Sequence, residues 1–156
     1  MFAVFLDVDG VLNTRTSVAA SPEGYKGVDE ARVEILSKAL KIYGGGKIIL
    51  TSDWKDTRRD SEDMRYLKAK LAKYGLAIED KTIDEWHKRG RGIDAYLKQH
   101  MEIEEYVILD DCLFDFKDYP KLWERLLLTD GIEKAKTASE TPAVETIVFL
   151  SYIRKF

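Results

Sequence analysis

One cysteine, Cys112, and two histidines, His87 and His100, are all that this 156-residue sequence offers as thiolate or imidazole metal ligands. A lone cysteine forms no intramolecular disulfide, and two histidines without a further nitrogen or sulfur partner do not make a zinc site. Prolines number three, so no proline-rich linker divides the chain. Long apolar runs are missing as well. None approaches the ~20 residues that a helix needs to cross a bilayer. The opening apolar run is broken by Asp7 and Asp9 before it reaches the length of a secretory signal. No charge of one sign dominates either: 25 Lys+Arg stand against 28 Asp+Glu, a net charge of -3, which gives no global attraction to nucleic acid or an anionic membrane. These absences make the cytoplasm the expected location, with no membrane and no stable protein partner.

What is present describes a folded domain. A hydrophobic fraction of 45% beside a charged fraction of 34% is far from the composition that leaves a chain disordered. A chain of this length buries roughly 70% of its unfolded surface, so one domain over residues 1–156 is expected.

Apolar, β-favouring runs end repeatedly in polar residues. MFAVFLDV (1–8) runs into acids and Gly10, KIILTSDW (47–54) into hydroxyls, YVILDD (106–111) into two acids, and LLLTDG (126–131) into Thr129 and Asp130. Between them lie helical periodicities. Val33, Ile35, Leu36, Leu40, Ile42 and Tyr43 recur at near-helical spacing, with Asp29 as N-cap and Gly44 to Gly46 as the stop. Residues 62–75 repeat the pattern, and 91–100 read as a short helix. The run 145–153 suits a strand or a helix equally. Strands alternating with amphipathic helices imply an α/β fold, a doubly wound, three-layer, Rossmann-like parallel sheet, because parallel strands need crossover connections. Ligands bind beyond the carboxyl ends of such strands, which puts all four polar strand ends on one rim. The aperiodic stretch 13–27 is expected to be a surface loop over that rim.

Asp7 and Asp9 are two apart at a strand end, where the turn at Gly10 can swing both toward one ligand. Asp110 and Asp111 close another strand. One acidic pair is readily a turn former; two pairs on one rim repel, and a hard divalent cation with oxygen ligands is the natural balance. Thr51 and Ser52 supply hydroxyls where a phosphate or a helix cap would use them. Lys88, Arg89 and Arg91 precede the short helix and offer cations for a transferring phosphoryl group, or a solvated basic face. Trp54 and Trp86 read as packing residues before platforms on which a base could stack, Arg58 and Arg59 as a solvated helix start that could touch a substrate phosphate, and Thr129 and Asp130 as helix caps before substrate contacts.

Taken in order, DVDGVLN, LTSDW, KRGRGI and LDD resemble the four motifs of the haloacid dehalogenase superfamily, from the start of the chain to about residue 131. The first motif is specific; the others gain force from order and spacing. The resemblance implies a magnesium-dependent phosphatase in which Asp7 attacks phosphorus and becomes an aspartyl phosphate, while Asp9 serves the leaving oxygen and then water. It implies Mg2+ on Asp7, the Asp9 carbonyl and Asp110 or Asp111, with Asp110 first. Thr51, or Ser52 if the strand ends later, would hold the phosphoryl oxygen beside Gly10. Lys88 is the first choice for the third-motif cation, with Arg89 and Arg91 as alternatives.

Short gaps between motifs imply little or no cap beyond the loop 14–28. An open site suits phosphate on a larger molecule, such as a phosphorylated nucleic-acid end or a phosphoprotein, and also admits a small phosphorylated molecule; the SDW and RG patterns most resemble the branch associated with nucleic-acid repair. A receiver-like phosphoacceptor, an inactive phosphate-binding relative and a metal-dependent nuclease are the competing readings. Asp9 speaks against the receiver, which needs no acid two residues after its phosphoacceptor.

Overall fold

The computed structural model describes residues 1–56, 61–85 and 87–138. Arg58, Arg59, Trp86 and the 145–153 run lie outside them. Among the described residues, no helix is long and apolar enough to cross a membrane.

The core is a six-stranded sheet. Its strands are β1 (Phe2–Leu6), β2 (Lys47–Leu50), β3 (Ile78–Lys81), β4 (Glu105–Asp110), β5 (Leu126–Leu128) and β6 (Lys136–Thr137), in the order β3-β2-β1-β4-β5-β6. All neighbours are parallel except β5 and β6, so the expected parallel α/β architecture is present with an antiparallel edge added. Among the described residues the α-helices are α1 (Glu30–Tyr43), α2 (Glu62–Ala72), α3 (Arg89–Gln99) and the short α4 (Pro120–Trp123).

Strand alternation divides the core into two layers, because successive side chains on a strand point to opposite faces. Phe2, Val4 and Leu6 pack with Val33, Leu36, Leu67 and Leu71 of α1 and α2. Ala3 and Phe5 pack with Ile93 of α3 and Leu122 of α4. Ile48 and Leu50 of β2 join the first layer and Ile49 the second. Each fully buried Leu, Ile or Phe contributes about 1.5–3 kcal/mol relative to exposure, so both faces of the central strands hold the sheet in place.

The helix ends differ in detail from expectation. Gly44 does stop α1 in a left-handed conformation (φ 100°). Asp29 sits at the α1 N-cap without a side-chain capping bond; its carboxylate is taken by Arg32 and Ser17 instead. α2 is capped by Ser61, whose hydroxyl accepts from the Met64 amide. β3, α4 and β6 went unforeseen. β3 is a mostly exposed, acidic edge strand, IEDK, and β6 is two residues long, so neither carries an apolar pattern to read.

Central β1 lies between β2 and β4, where chain connections leave in opposite directions. This is the switch point at which open α/β sheets bind ligands. Leu6 is paired with Leu50 on one side and Leu109 on the other. Hydrogen bonds continue past the strands: Asp7 N–H to Leu109 O at 2.9 Å, Thr51 N–H to Leu6 O at 2.9 Å, and Thr129 N–H to Asp110 O at 3.0 Å. The polar strand ends are thereby set side by side.

Candidate active site

Asp7 follows β1 directly and is buried; Asp110 is the last residue of β4 and fully buried; Asp111 comes next and is exposed. Register alone brings the first two together, since Leu6 and Leu109 are partners. One carboxylate oxygen from each of the three lies within 4.8 Å of the others. The Asp9 carboxylate is not one of this group.

Gly10 makes the close approach of Asp111 feasible. Its φ is 78°, and a Cβ there would lie 2.3 Å from Asp111 Oδ2. Its N–H goes to Asn13 Oδ1 at 3.0 Å, and its carbonyl accepts from Thr129 Oγ1 at 2.6 Å and Gly131 N–H at 2.8 Å. Thr129 therefore ties the segment after β5 to the first loop; the expected helix cap is not what it makes.

The cations sort themselves by burial. Arg89 is buried, with Nη1 2.8 Å from Asp110 Oδ2 and 3.3 Å from Asp7 Oδ2, and Nη2 3.0 Å from Asp53 Oδ1. Its guanidinium also lies over the Phe114 ring at 4.4 Å. Lys88 is half exposed and pairs with Glu85 at 3.2 Å; Arg91 is more exposed still, 3.9 Å from the same Glu85. Neither contact involves the acidic group. The structure thus brings Arg89, rather than the first-choice Lys88, against Asp7 and Asp110.

The reason lies in how α3 begins. Asp115 accepts from the Gly90 and Arg91 amides at 2.7 and 3.1 Å, satisfying N–H groups that a helix start leaves without internal partners. Gly92 lets α3 sit close on the 82–85 segment, where a Cβ would meet Asp84 Cβ at 2.6 Å. The first helical side chain, Arg89, then faces the sheet end.

The acids bear the electrostatic consequence. Burial raises the Asp7 carboxyl well above the ordinary value, with repulsion from Asp110 adding to it, while Arg89 and the Ser52 hydroxyl act in the opposite sense. Burial likewise pushes Asp110 up to about 6 against the pull of Arg89. Asp111 is raised, again chiefly by burial. Burial opposes the charge on Arg89, but Asp110 and Asp7 outweigh it and hold the guanidinium charged. Three crowded acids with one fixed cation remain short of positive charge.

That deficit, and the all-oxygen donor set, fit a hard divalent cation such as magnesium; no thiolate or imidazole competes in the group. Asp7, Asp110 and Asp111 are the side chains placed to hold it. Thr51 is fully buried, and its hydroxyl has no hydrogen-bond partner among the described residues, a state suited to a group awaiting a ligand. Ser52, equally buried, is the hydroxyl that reaches Asp7.

Asp9 stands apart at the mouth. Its Oδ1 accepts from Asn13 Nδ2 at 2.8 Å and its Oδ2 from the Trp54 indole N–H at 3.1 Å. Above it opens a cleft of about 1470 Å³ walled by loop residues Arg15, Glu23 and Tyr25 and by Asp63 and Asp130. Sequence reasoning missed Asn13, Asp53, Phe114 and Asp115, and it read Trp54 as a packing residue or a platform for a substrate base, not as a hydrogen-bond donor to Asp9. Only Trp54 carried a signal: a buried indole N–H needs an acceptor, and this one lies three residues beyond Thr51.

A phosphoacceptor-like acid on the first strand, a fixed cation and paired acids on the neighbouring strand define a haloacid dehalogenase-type domain. More particularly, residues 3–133 match the family described as the HAD domain in Swiss Army Knife RNA repair proteins, and the chain belongs to that family. No curated protein and no solved structure matches it.

Proposed function

We propose that the protein is a magnesium-dependent phosphomonoesterase that works through an aspartyl phosphate on Asp7. The observation that carries the reading is Arg89 bridging Asp7 and Asp110 from a buried position, with Asp9 held separately at the mouth. A fixed cation beside a buried carboxylate, and a second carboxylate free of the cluster, is the division of labour that nucleophilic phosphoryl transfer needs.

Asp7 Oδ attacks phosphorus as the bond to the ester oxygen breaks, and the Asp9 carboxyl gives its proton to that leaving oxygen. Water then attacks the phosphorus of the acyl phosphate, its proton passes to Asp9, and inorganic phosphate leaves with Asp7 restored. Arg89 balances the charge on the equatorial oxygens from below, and the hydroxyls of Thr51 and Ser52 and the rim around Gly10 hold them. Arg91 and Lys88 lie outside this inner group and serve at most the outer part of a substrate. Magnesium, held by Asp7, Asp110 and Asp111 with the Asp9 carbonyl, would neutralise phosphoryl oxygens and relieve the crowding of the acids.

Residues of the loop 14–28 line the cleft, and a site walled by a loop in place of a cap domain would be open to a large substrate. Two observations favour a phosphorylated nucleotide or nucleic-acid end over a compact metabolite: the family's description names RNA repair proteins, and the cleft exceeds the roughly 300–1,000 Å³ of ordinary small-molecule pockets.

The test is magnesium-dependent release of phosphate from an aryl phosphate, then from 5′- and 3′-phosphorylated oligonucleotides, by wild type and Asp7→Asn. Beryllium fluoride should inhibit, and a labelled phosphoenzyme should be trapped from wild type only. Magnesium-dependent beryllium fluoride binding without any hydrolysis would replace this reading with the phosphoacceptor one.

A further inference from the structure

We infer that Trp54 is a positioning residue for the reaction, its indole N–H acting with Asn13 to fix the carboxylate of Asp9 beneath the leaving oxygen. The inference rests on the phosphohydrolase reading above and extends it to a residue which that reading does not use.

Asp9 is exposed, on the turn that follows β1, whereas Asp7 is buried and bonded to the Val8 amide. An exposed carboxylate on a turn rotates freely in water. It would also be drawn toward Arg89 and the cation site, where it could not serve a leaving group. Two donors prevent both. The Trp54 N–H takes Oδ2 at 3.1 Å and Asn13 Nδ2 takes Oδ1 at 2.8 Å, so among the described residues each oxygen has one donor and keeps a lone pair for a proton.

Both donors are themselves fixed. Asn13 is buried, its Oδ1 accepts the Gly10 N–H and its Nδ2 also reaches Gly27 O at 2.8 Å, which settles the orientation of the amide. Trp54 sits in the 3-10 turn Asp53–Asp56 that follows β2, its side chain within the same apolar cluster as Val8, Val11 and Met64. Its body is anchored in the core and its N–H emerges at the rim. An indole N–H donates without accepting and does not ionise at working pH, so it orients Asp9 without acting as the acid or base of the proton transfer. A residue that only packed would be as well served by Phe.

The chemistry gives a readout that packing would not. When the P–O bond to the leaving group breaks, a poorly stabilised alkoxide needs the proton from Asp9, while an activated phenolate departs without it. The experiment compares kcat/KM, which reports formation of the phosphoenzyme, for an alkyl phosphate and for 2,4-dinitrophenyl phosphate, in wild type, Trp54→Phe, Asp9→Asn and the double variant. Trp54→Phe is expected to lower kcat/KM for the alkyl ester about tenfold, a part of the roughly 10²–10⁴-fold that general acid catalysis supplies, with a much smaller fall for the activated ester. On the Asp9→Asn background it should add little, because the interaction it removes is already lost.

An equal loss on both esters, or full additivity with Asp9→Asn, would overturn the inference and return Trp54 to packing. Should Trp54→Phe fail to fold, benzothienylalanine at position 54 keeps the bicyclic shape and deletes only the N–H, and the same comparison applies. If wild type turns over neither ester, the phosphohydrolase reading itself falls and the inference with it; if wild type is active and the esters respond alike, only the inference falls.

Discussion

Two clusters in this molecule each set carboxylates against basic side chains, and they respond in opposite ways. At the strand ends, Asp7, Asp110 and Asp111 surround Arg89 in a largely buried group, and all three carboxyls are raised above their ordinary values, chiefly by burial. On the helical face, Glu30 of α1 meets Lys70 and Lys73 of α2 at 2.8 and 2.5 Å near solvent, and its carboxyl is lowered to about 2, chiefly by those two hydrogen-bonded ammonium groups. Desolvation decides the first case, pairing the second. A cluster that opposes folding persists when something other than folding selects it, and this contrast supports the functional role proposed for the strand-end cluster.

The sharpest way to break this contrast is Asp7→Asn. Hydrolysis should fall by about 10³-fold or more, while the metal-free protein should melt a few degrees higher, because a carboxylate that resists ionisation is gone. A calorimetric scan beside a phosphate-release assay reads both. A lower Tm would show that the buried acid supports the fold, contrary to the contrast.

Arg89→Gln comes next and should hurt in both respects. Activity should drop about 10²-fold or more, and stability by about 3–5 kcal/mol, since removing one member of a buried pair leaves unpaired charge behind. Denaturant titration measures the second. Lys88→Gln, on an exposed side chain whose partner is Glu85, should stay within about twofold in activity; a loss matching that of Arg89→Gln would restore Lys88 as the third-motif cation.

The pH dependence should also separate the clusters. The folded protein holds a proton on Asp110 up to about pH 6, whereas the unfolded chain releases it near the ordinary 3.8. Metal-free stability should therefore rise as pH falls through about 6 and level off below about 4. Saturating magnesium should oppose this trend, adding more stability at pH 7 than at pH 5, since protons compete for its ligands. Melting temperatures across pH 4–8, with and without magnesium, provide the check.

The smallest effect is reserved for Glu30→Gln. Its lowered carboxyl gives stability that is present above about 4.5 and is lost as pH falls through about 2. At neutral pH the variant should lose only about a degree or two in Tm, as surface ion pairs contribute little, with catalysis unchanged. Its difference from wild type should vanish in strong acid.

Much of this was legible beforehand. Apolar strands 2–6, 47–50 and 105–110 announce themselves by composition, α1 and α2 by periodicity, and the DVDG, TSDW and LDD strand ends follow from them. β3 was invisible because an exposed edge strand needs no apolar pattern, and β6 because two residues carry none. The third-motif cation could not be chosen among Lys88, Arg89 and Arg91, since one position along a helix is 100° of rotation. Asp115, a distant residue, set where α3 starts. Asn13 and Trp54 look like a turn former and a core aromatic until the fold brings them to Asp9.

The sequence by itself determined which chemical groups the rim would carry, because strand hydrophobicity and strand-end polarity are local properties of consecutive residues. Only the tertiary structure decided which acid shares space with which cation, which hydroxyl reaches Asp7 and what holds Asp9 still. Those outcomes depend on strand register and on helix rotation, and both are fixed by packing between residues far apart in the chain.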